Sequence, residues 1–191
     1  MKTNKFYNSI ALKYLIIFNV LVFSIAISTF SQSLSIYDLQ TICSSAKLDN
    51  AERILINKKW EFSSAEKDVY NTVTYSFSKD VYTGKASAWL SLYFESENLT
   101  SPIAVEFNFF DYENFNGIKK TAENIGYKFI EKSIEDGTIN TQYVNTNYYL
   151  MLSMSESGNN YITKYSVVLI KKGCSLDSDN GHKKIYYKDS P

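Results

Sequence analysis

The spacing of apolar residues changes period at Lys59, and no other feature of this chain restricts the fold as much. Before it the pattern is helical. Ile36, Leu39, Ile42, Cys43 and Ala46 share one helical face, and Ser35 with Asp38 three residues later reads as a capping pair. A second short helix is expected from an N-cap at Asp49, with Ala51, Ile54, Leu55 and Lys58 on its inner side. From Trp60-Glu61-Phe62 onward the period is two. Val73, Tyr75 and Phe77 alternate with Thr and Ser. Ala88, Leu90, Leu92 and Phe94 alternate with Trp89, Ser91, Tyr93 and Glu95. Ile103, Val105, Phe107 and Phe109 alternate with Ala104, Glu106, Asn108 and Phe110. Strands that follow one another with no helix between them can be joined only locally, so they form an antiparallel meander with one buried face.

The pattern then starts again. Residues 112–125 place Phe115, Ile118, Ala122 and Ile125 on one helical face, and Gly126 follows where a left-handed residue is wanted. A strand opens at Tyr127-Lys128-Phe129, Asp136-Gly137 supplies a hairpin turn, and strands are expected near 139–144, 148–155 and 161–171. The halves can be laid over each other. Lys59-Trp60-Glu61-Phe62 matches Gly126-Tyr127-Lys128-Phe129, and Val105, Phe107 and Phe109 match Tyr165, Val167 and Leu169. This order and periodicity suggest an internal duplication, with the length difference in the loop around 78–87. If so, Lys59 takes the positive φ that Gly126 takes. The expected fold class is α+β. Eight antiparallel strands lie in one sheet or two, arranged as a 33–110 α-α-β4 unit and a 111–172 α-β4 unit, with the helices on one face. Residues 173–191 read as a polar, mobile tail.

The N-terminus speaks to compartment. Lys2, Lys5 and Lys13 precede an uncharged stretch from Tyr14 to Phe30, the layout of a secretory signal peptide over 1–31. Thr29 and Ser31 are small enough for cleavage after Ser31. The alternative is a retained anchor, although Asn19 interrupts the stretch and it falls short of the roughly 20 residues that span a bilayer. Nothing after it would span a membrane, so the expected destination is the periplasm or the extracellular space. A signal ending in Phe-Ser-Gln before a body rich in Asn, Lys, Ile and Tyr resembles small secreted proteins of Bacteroidetes-type bacteria. That resemblance implies export and no particular activity. The cysteines, Cys43 and Cys174, would both survive cleavage. In an oxidising compartment they could pair, closing a loop of about 130 residues worth roughly 3–5 kcal/mol. Equally, they could remain separate buried thiols.

Composition excludes more than it assigns. The chain has 20 Lys+Arg, 20 Asp+Glu and a single His among 191 residues. Zero net charge leaves no basic field for nucleic acid, and one His with two Cys is too few for a His/Cys metal site. No cofactor is expected. His182 lies in the polar tail, where nothing orients it as a general base. Asp111 with Glu113 reads as negative charge at a helix start, and Glu95 with Glu97 as solvated strand-end charge. Neither pair has a neighbour that would shift one carboxyl for catalysis, so an enzyme is not expected.

Aromatics are the suggestive feature: 16 Tyr, 12 Phe and 2 Trp. In the strand 88–95 the aliphatic set claims the core face and leaves Trp89 and Tyr93 on the other. Amphipathic rings on an open sheet face serve protein and sugar binding, although aromatic residues also stabilise sheets without binding anything. The expected function is a non-catalytic exported binding module for an envelope or secreted protein, with Trp89 and Tyr93 in its contact surface. The alternatives are a structural envelope protein without a discrete ligand and, behind it, a carboxylate-dependent hydrolase. The tandem layout is similar to that of bacterial β-lactamase-inhibitor proteins, which present a concave sheet to an enzyme. The resemblance covers about 33–172, is carried by no shared motif, and transfers no functional residue.

Overall fold

The computed structural model describes residues 33–68, 71–80, 86–95, 99–157, 162–179 and 182–187. The leader expected over 1–31 lies outside the described residues, as do Glu97 and the 158–160 turn. Two helices, α1 (Ile36–Ser44) and α2 (Leu48–Asn57), precede β1 (Glu61–Lys67), β2 (Thr72–Lys79), β3 (Ala88–Glu95) and β4 (Ala104–Phe109). Helix α3 (Tyr112–Asn124) leads into β5 (Lys128–Glu135), β6 (Thr138–Val144), β7 (Tyr148–Ser157) and β8 (Ile162–Lys171). All eight strands form one antiparallel sheet in the order β1-β2-β3-β4-β8-β7-β6-β5. The fold is therefore α+β, with one continuous sheet rather than two. Among the described residues no helix is long and apolar enough to cross a membrane.

Local chemistry sets the helix ends. The Ser35–Asp38 capping box forms as expected: the Ser35 hydroxyl accepts from Asp38 N (3.2 Å) and the Asp38 carboxylate accepts from Ser35 N (2.8 Å). Helix α2 departs from expectation. It begins at Leu48 with Lys47 as N-cap and no side-chain cap, so Asp49 stands inside the first turn and meets the helix dipole there. Both helices that lead into an edge strand end alike. Lys59 (φ 62°) and Gly126 (φ 92°) turn the chain, and the next amide returns to the helix: Trp60 N to Leu55 O and Tyr127 N to Ala122 O, each 3.0 Å. The positive φ expected of Lys59 is present.

One face of the sheet takes all three helices. Phe77, Leu90, Leu92, Phe94, Val105, Phe107, Phe109, Leu150, Leu152, Val167 and Leu169 point there, against Ile36, Leu39, Ile42, Leu55, Phe115, Ile118 and Ala122. This is the face that strict alternation assigned to the core. The strand order is palindromic about the β4–β8 pair, so the halves meet around a local pseudo-twofold axis. Both edge strands carry a bulge at the same place, after Phe62 in β1 and after Phe129 in β5. Bulges and edge charges (Glu61, Glu66 and Lys67; Lys128, Glu131, Lys132 and Glu135) discourage pairing with another sheet.

Two expectations are corrected. Counting ladders inward from Phe62 and Phe129 pairs Phe77 with Tyr143, Leu90 with Leu150, and Phe107 with Leu169. The expected partner of Phe107 was Val167, two residues away. Two residues is one full side-chain period, so the slip leaves every face unchanged and alternation cannot detect it. The C-terminal segment, in turn, is not a tail. Residues Cys174–Asp179 (β9) and His182–Tyr187 (β10) pair antiparallel from Asp179↔His182 to Cys174↔Tyr187, after a turn at Gly173 (φ 85°).

Candidate functional site

Cross-strand register builds the helix-free face in rows. One row runs Ser78, Trp89, Asn108, Ser166, Ser153, Asn140. The next runs Ser76, Ser91, Glu106, Val168, Met151, Gln142, and the third Thr74, Tyr93, Ala104, Ile170, Tyr149, Val144. Neighbours along a row stand one strand spacing apart, about 4.8 Å.

Trp89 is on this face, as expected, and remains 39% exposed. Its ring meets the Phe110 ring edge-on at 5.8 Å between centroids. Tyr93 is also on this face, but the expectation that it lies open is corrected: it is only 4% exposed. Ile103, Ala104 and Cys174 close over it, with Ile170 beside them, as a small second core on the far side of the sheet. Its hydroxyl donates to Glu106 Oε2 at 2.6 Å. Burial first, and then the Glu106 carboxylate, hold its phenol well above the ordinary tyrosine range. The Asn108 amide donates to Glu106 Oε1 at 3.1 Å, so both carboxylate oxygens are fixed from opposite rows. Asn108 Oδ1 is buried and accepts no hydrogen bond.

Register also exposes a partner for Trp89 that alternation left unremarked. Trp89 lies one residue before Leu90 and Tyr149 one before Leu150, so the two rings are pseudo-twofold mates. Tyr149 is 38% exposed, and the Lys172 ammonium sits 5.9 Å from its ring centroid. The signal was present in the sequence: Tyr149 precedes the core residue Leu150 and so must face away from the helices.

The other candidates fall into structural places. Asp111 is the N-cap of α3 and accepts from Glu113 N (2.9 Å) and Asn114 N (3.3 Å), with Glu113 in the first turn. Glu95 ends β3, far along the strand from Asp111. His182 opens β10. Cys43 and Cys174 are free, buried thiols and form no disulfide here. Cys43 Sγ lies 3.9 Å from Pro102 O, and Ser101 Oγ donates to Cys43 O at 3.4 Å. Burial pushes the Cys43 thiol up to about 12, against the opposing pull of Lys171, and burial likewise raises Cys174. Protonated, buried thiols are poor nucleophiles. Among the described residues no three His, Cys, Asp or Glu side chains gather where they could hold a metal ion.

The fold and this face define a class: an open α+β sheet with helices on one side and an amphipathic aromatic surface on the other. Comparison with known proteins returns no matching family model, curated protein or solved structure.

Proposed function

We propose that this chain is a non-catalytic, exported binding module whose contact surface is the open part of the helix-free face around Trp89. The exposed Trp89–Phe110 pair supports this reading above all. A large ring that contributes nothing to either core is the kind of group that carries binding energy at recognition sites. Tyr93, which sequence alternation grouped with Trp89, lies buried with Ile103 and Cys174 and donates to Glu106, so it is not part of this contact surface. Export rests on the basic start and apolar run of residues 1–31.

The test is binding of purified wild-type protein and Trp89→Ser to envelope fragments of the host, with melting curves for both. The expected result is unchanged melting and roughly tenfold weaker retention for Trp89→Ser, as for the loss of one hot-spot aromatic. Equal retention of the two proteins would remove this face from the functional account.

A further inference from the structure

We infer that the outer edge of β5 pairs antiparallel with the same edge of a second copy of this chain, about a twofold axis through Lys132. This goes beyond the binding reading above and concerns a surface remote in the sheet order from Trp89. Strand β5 ends the sheet, and among the described residues no strand pairs with its outer side. All of its residues but Ser133 are exposed, and two of them are large and apolar: Phe129 at 60% and Ile134 at 71%. A bare edge that carries such groups is a template for another strand.

The bulge and the charges select the occupant. They turn away an arbitrary strand, but they fit β5 to its own reverse. In a twofold antiparallel pair, facing residues stand on the same side of the sheet, so they lie an even number of ladder positions apart in one strand. Lys128 and Glu135 are seven residues apart, and Phe129 and Ile134 are five. In a regular strand each couple would be split between the two faces. The bulge removes one residue from the count, and along the ladder to β6 the separations become six positions and four. Lys128 and Glu135 therefore both stand on the helix-free side, and Phe129 and Ile134 both on the helix side. With the axis at Lys132, each Lys128 faces Glu135 of the second copy and each Phe129 faces Ile134 of the second copy. The one unfavourable pair is Lys132 against itself. The other edge offers no such match. Along β1, Lys67 is five ladder positions from Glu61 and one from Glu66, so no twofold register sets it opposite either acid. The axis stands perpendicular to the sheet, so the pair presents both helix-free faces, each with its Trp89, on one side.

The test is sedimentation of the protein purified from its host, from about 1 to about 200 µM, a range suited to a small interface. The expected result is a reversible monomer–dimer equilibrium. Glu135→Lys sets a lysine against Lys128 at both ends and weakens the dimer at least roughly tenfold. Adding Lys128→Glu to that variant restores the opposite charges and with them the dimer. Lys132→Thr removes the single repulsion and tightens association about threefold. Circular dichroism accompanies each variant, and recovery in the double variant separates loss of pairing from loss of fold. A chain that stays monomeric through the whole range overturns the inference. So does a dimer that is indifferent to Glu135→Lys, or one that the double variant fails to restore, because association would then run through another surface.

Discussion

The two halves of the sheet solve the same packing problem with different residues, and the differences separate what the fold needs from what it tolerates. Each begins with a helix, a left-handed residue, a buried ring and a bulged edge strand. The first half uses Lys59 and Trp60 and the second Gly126 and Tyr127. Tyr127 places its hydroxyl where Gln40 Nε2 can donate to it at 3.0 Å, whereas Trp60 Nε1 is buried without a partner. In exchange, Trp60 packs edge-on against Phe107 at 5.8 Å, and the buried Lys79 amine lies 5.9 Å from the Trp60 ring and donates to Lys58 O at 2.6 Å. That bond satisfies a carbonyl at the end of α2 and places a cation at the helix C-terminus, which offsets part of the cost of burying the amine. The shared features are geometric; the chemistry within them is free to vary.

On the helix-free face the halves diverge more. By register, Tyr93 of β3 corresponds to Ser153 of β7. Both are buried, but Tyr93 lies under the segment around Ile103 and the root of the C-terminal hairpin, while Ser153 donates to Asn140 Oδ1 at 2.7 Å. Substitution separates the two kinds of aromatic most strongly. Tyr93→Ser should cost about 3–5 kcal/mol, as a buried ring is removed and Glu106 loses a donor. Trp89→Ser should cost no more than about 1 kcal/mol. Denaturant unfolding of the two single variants checks this. Similar losses from both would mean that Trp89 belongs to the second core, and the contrast between the two rings would disappear.

Titration sharpens the contrast through the second half. Burial, and then the hydrogen bond to Glu123, push the Tyr143 phenol up to about 12; burial pushes Tyr127 up to about 12 against the opposing Gln40 bond. A phenol whose folded pKa is raised contributes stability that is complete below its ordinary value near 10 and is lost as pH climbs through the folded value. Stability should therefore fall between about pH 10 and about pH 12. Tyr143→Phe removes one titrating group from that window and should flatten the fall. Phenolate absorbance and unfolding, followed together across the window, give the readout. An unchanged slope in Tyr143→Phe would mean that its burial does not govern the alkaline transition.

How much of this was legible in the sequence follows from which interactions are local. Alternation identified the core face of β2, β3, β4 and β8, and the helix starts at Ser35 and Asp111, because these depend on period and on neighbours a few residues away; it failed at Ile103, grouped with Val105 and Phe107, which precedes the first residue of β4 and packs over Tyr93 on the other side instead. The α2 start was misplaced at Asp49 because an acidic residue suits the cap and the first turn equally well. The two-residue slip in the last strand was hidden, since period-two patterns are invariant to it. The C-terminal hairpin was missed although Asn180-Gly181 is a hairpin signal between the segments that become β9 and β10; the polar composition around it outweighed that pair. The burial of Tyr93 was out of reach. It depends on Ile103 and Cys174 returning over the sheet from 10 and 81 residues along the chain, and no local pattern encodes that return.

The smallest expected effect tests the correspondence of the halves at its strictest point, the left-handed residue before each edge strand. Gly126 has φ 92° and open space where a Cβ would stand, so Gly126→Ala meets no clash and pays only for backbone conformation, about 1–2 kcal/mol. Lys59 already bears such a cost at φ 62°. Lys59→Gly relieves it but gives the unfolded chain more freedom, worth about 0.4–1 kcal/mol in the opposite direction. The terms nearly cancel, so Lys59→Gly should lie between neutral and about 1 kcal/mol stabilising. The sign pair is the test: destabilising at 126, neutral or stabilising at 59, both read from denaturant midpoints at unchanged slope. If Lys59→Gly instead lost more than about 1 kcal/mol, the magnitude expected for glycine inside a helix, position 59 would behave as part of α2. The two turns would then be alike in shape but not in the energetics that hold them.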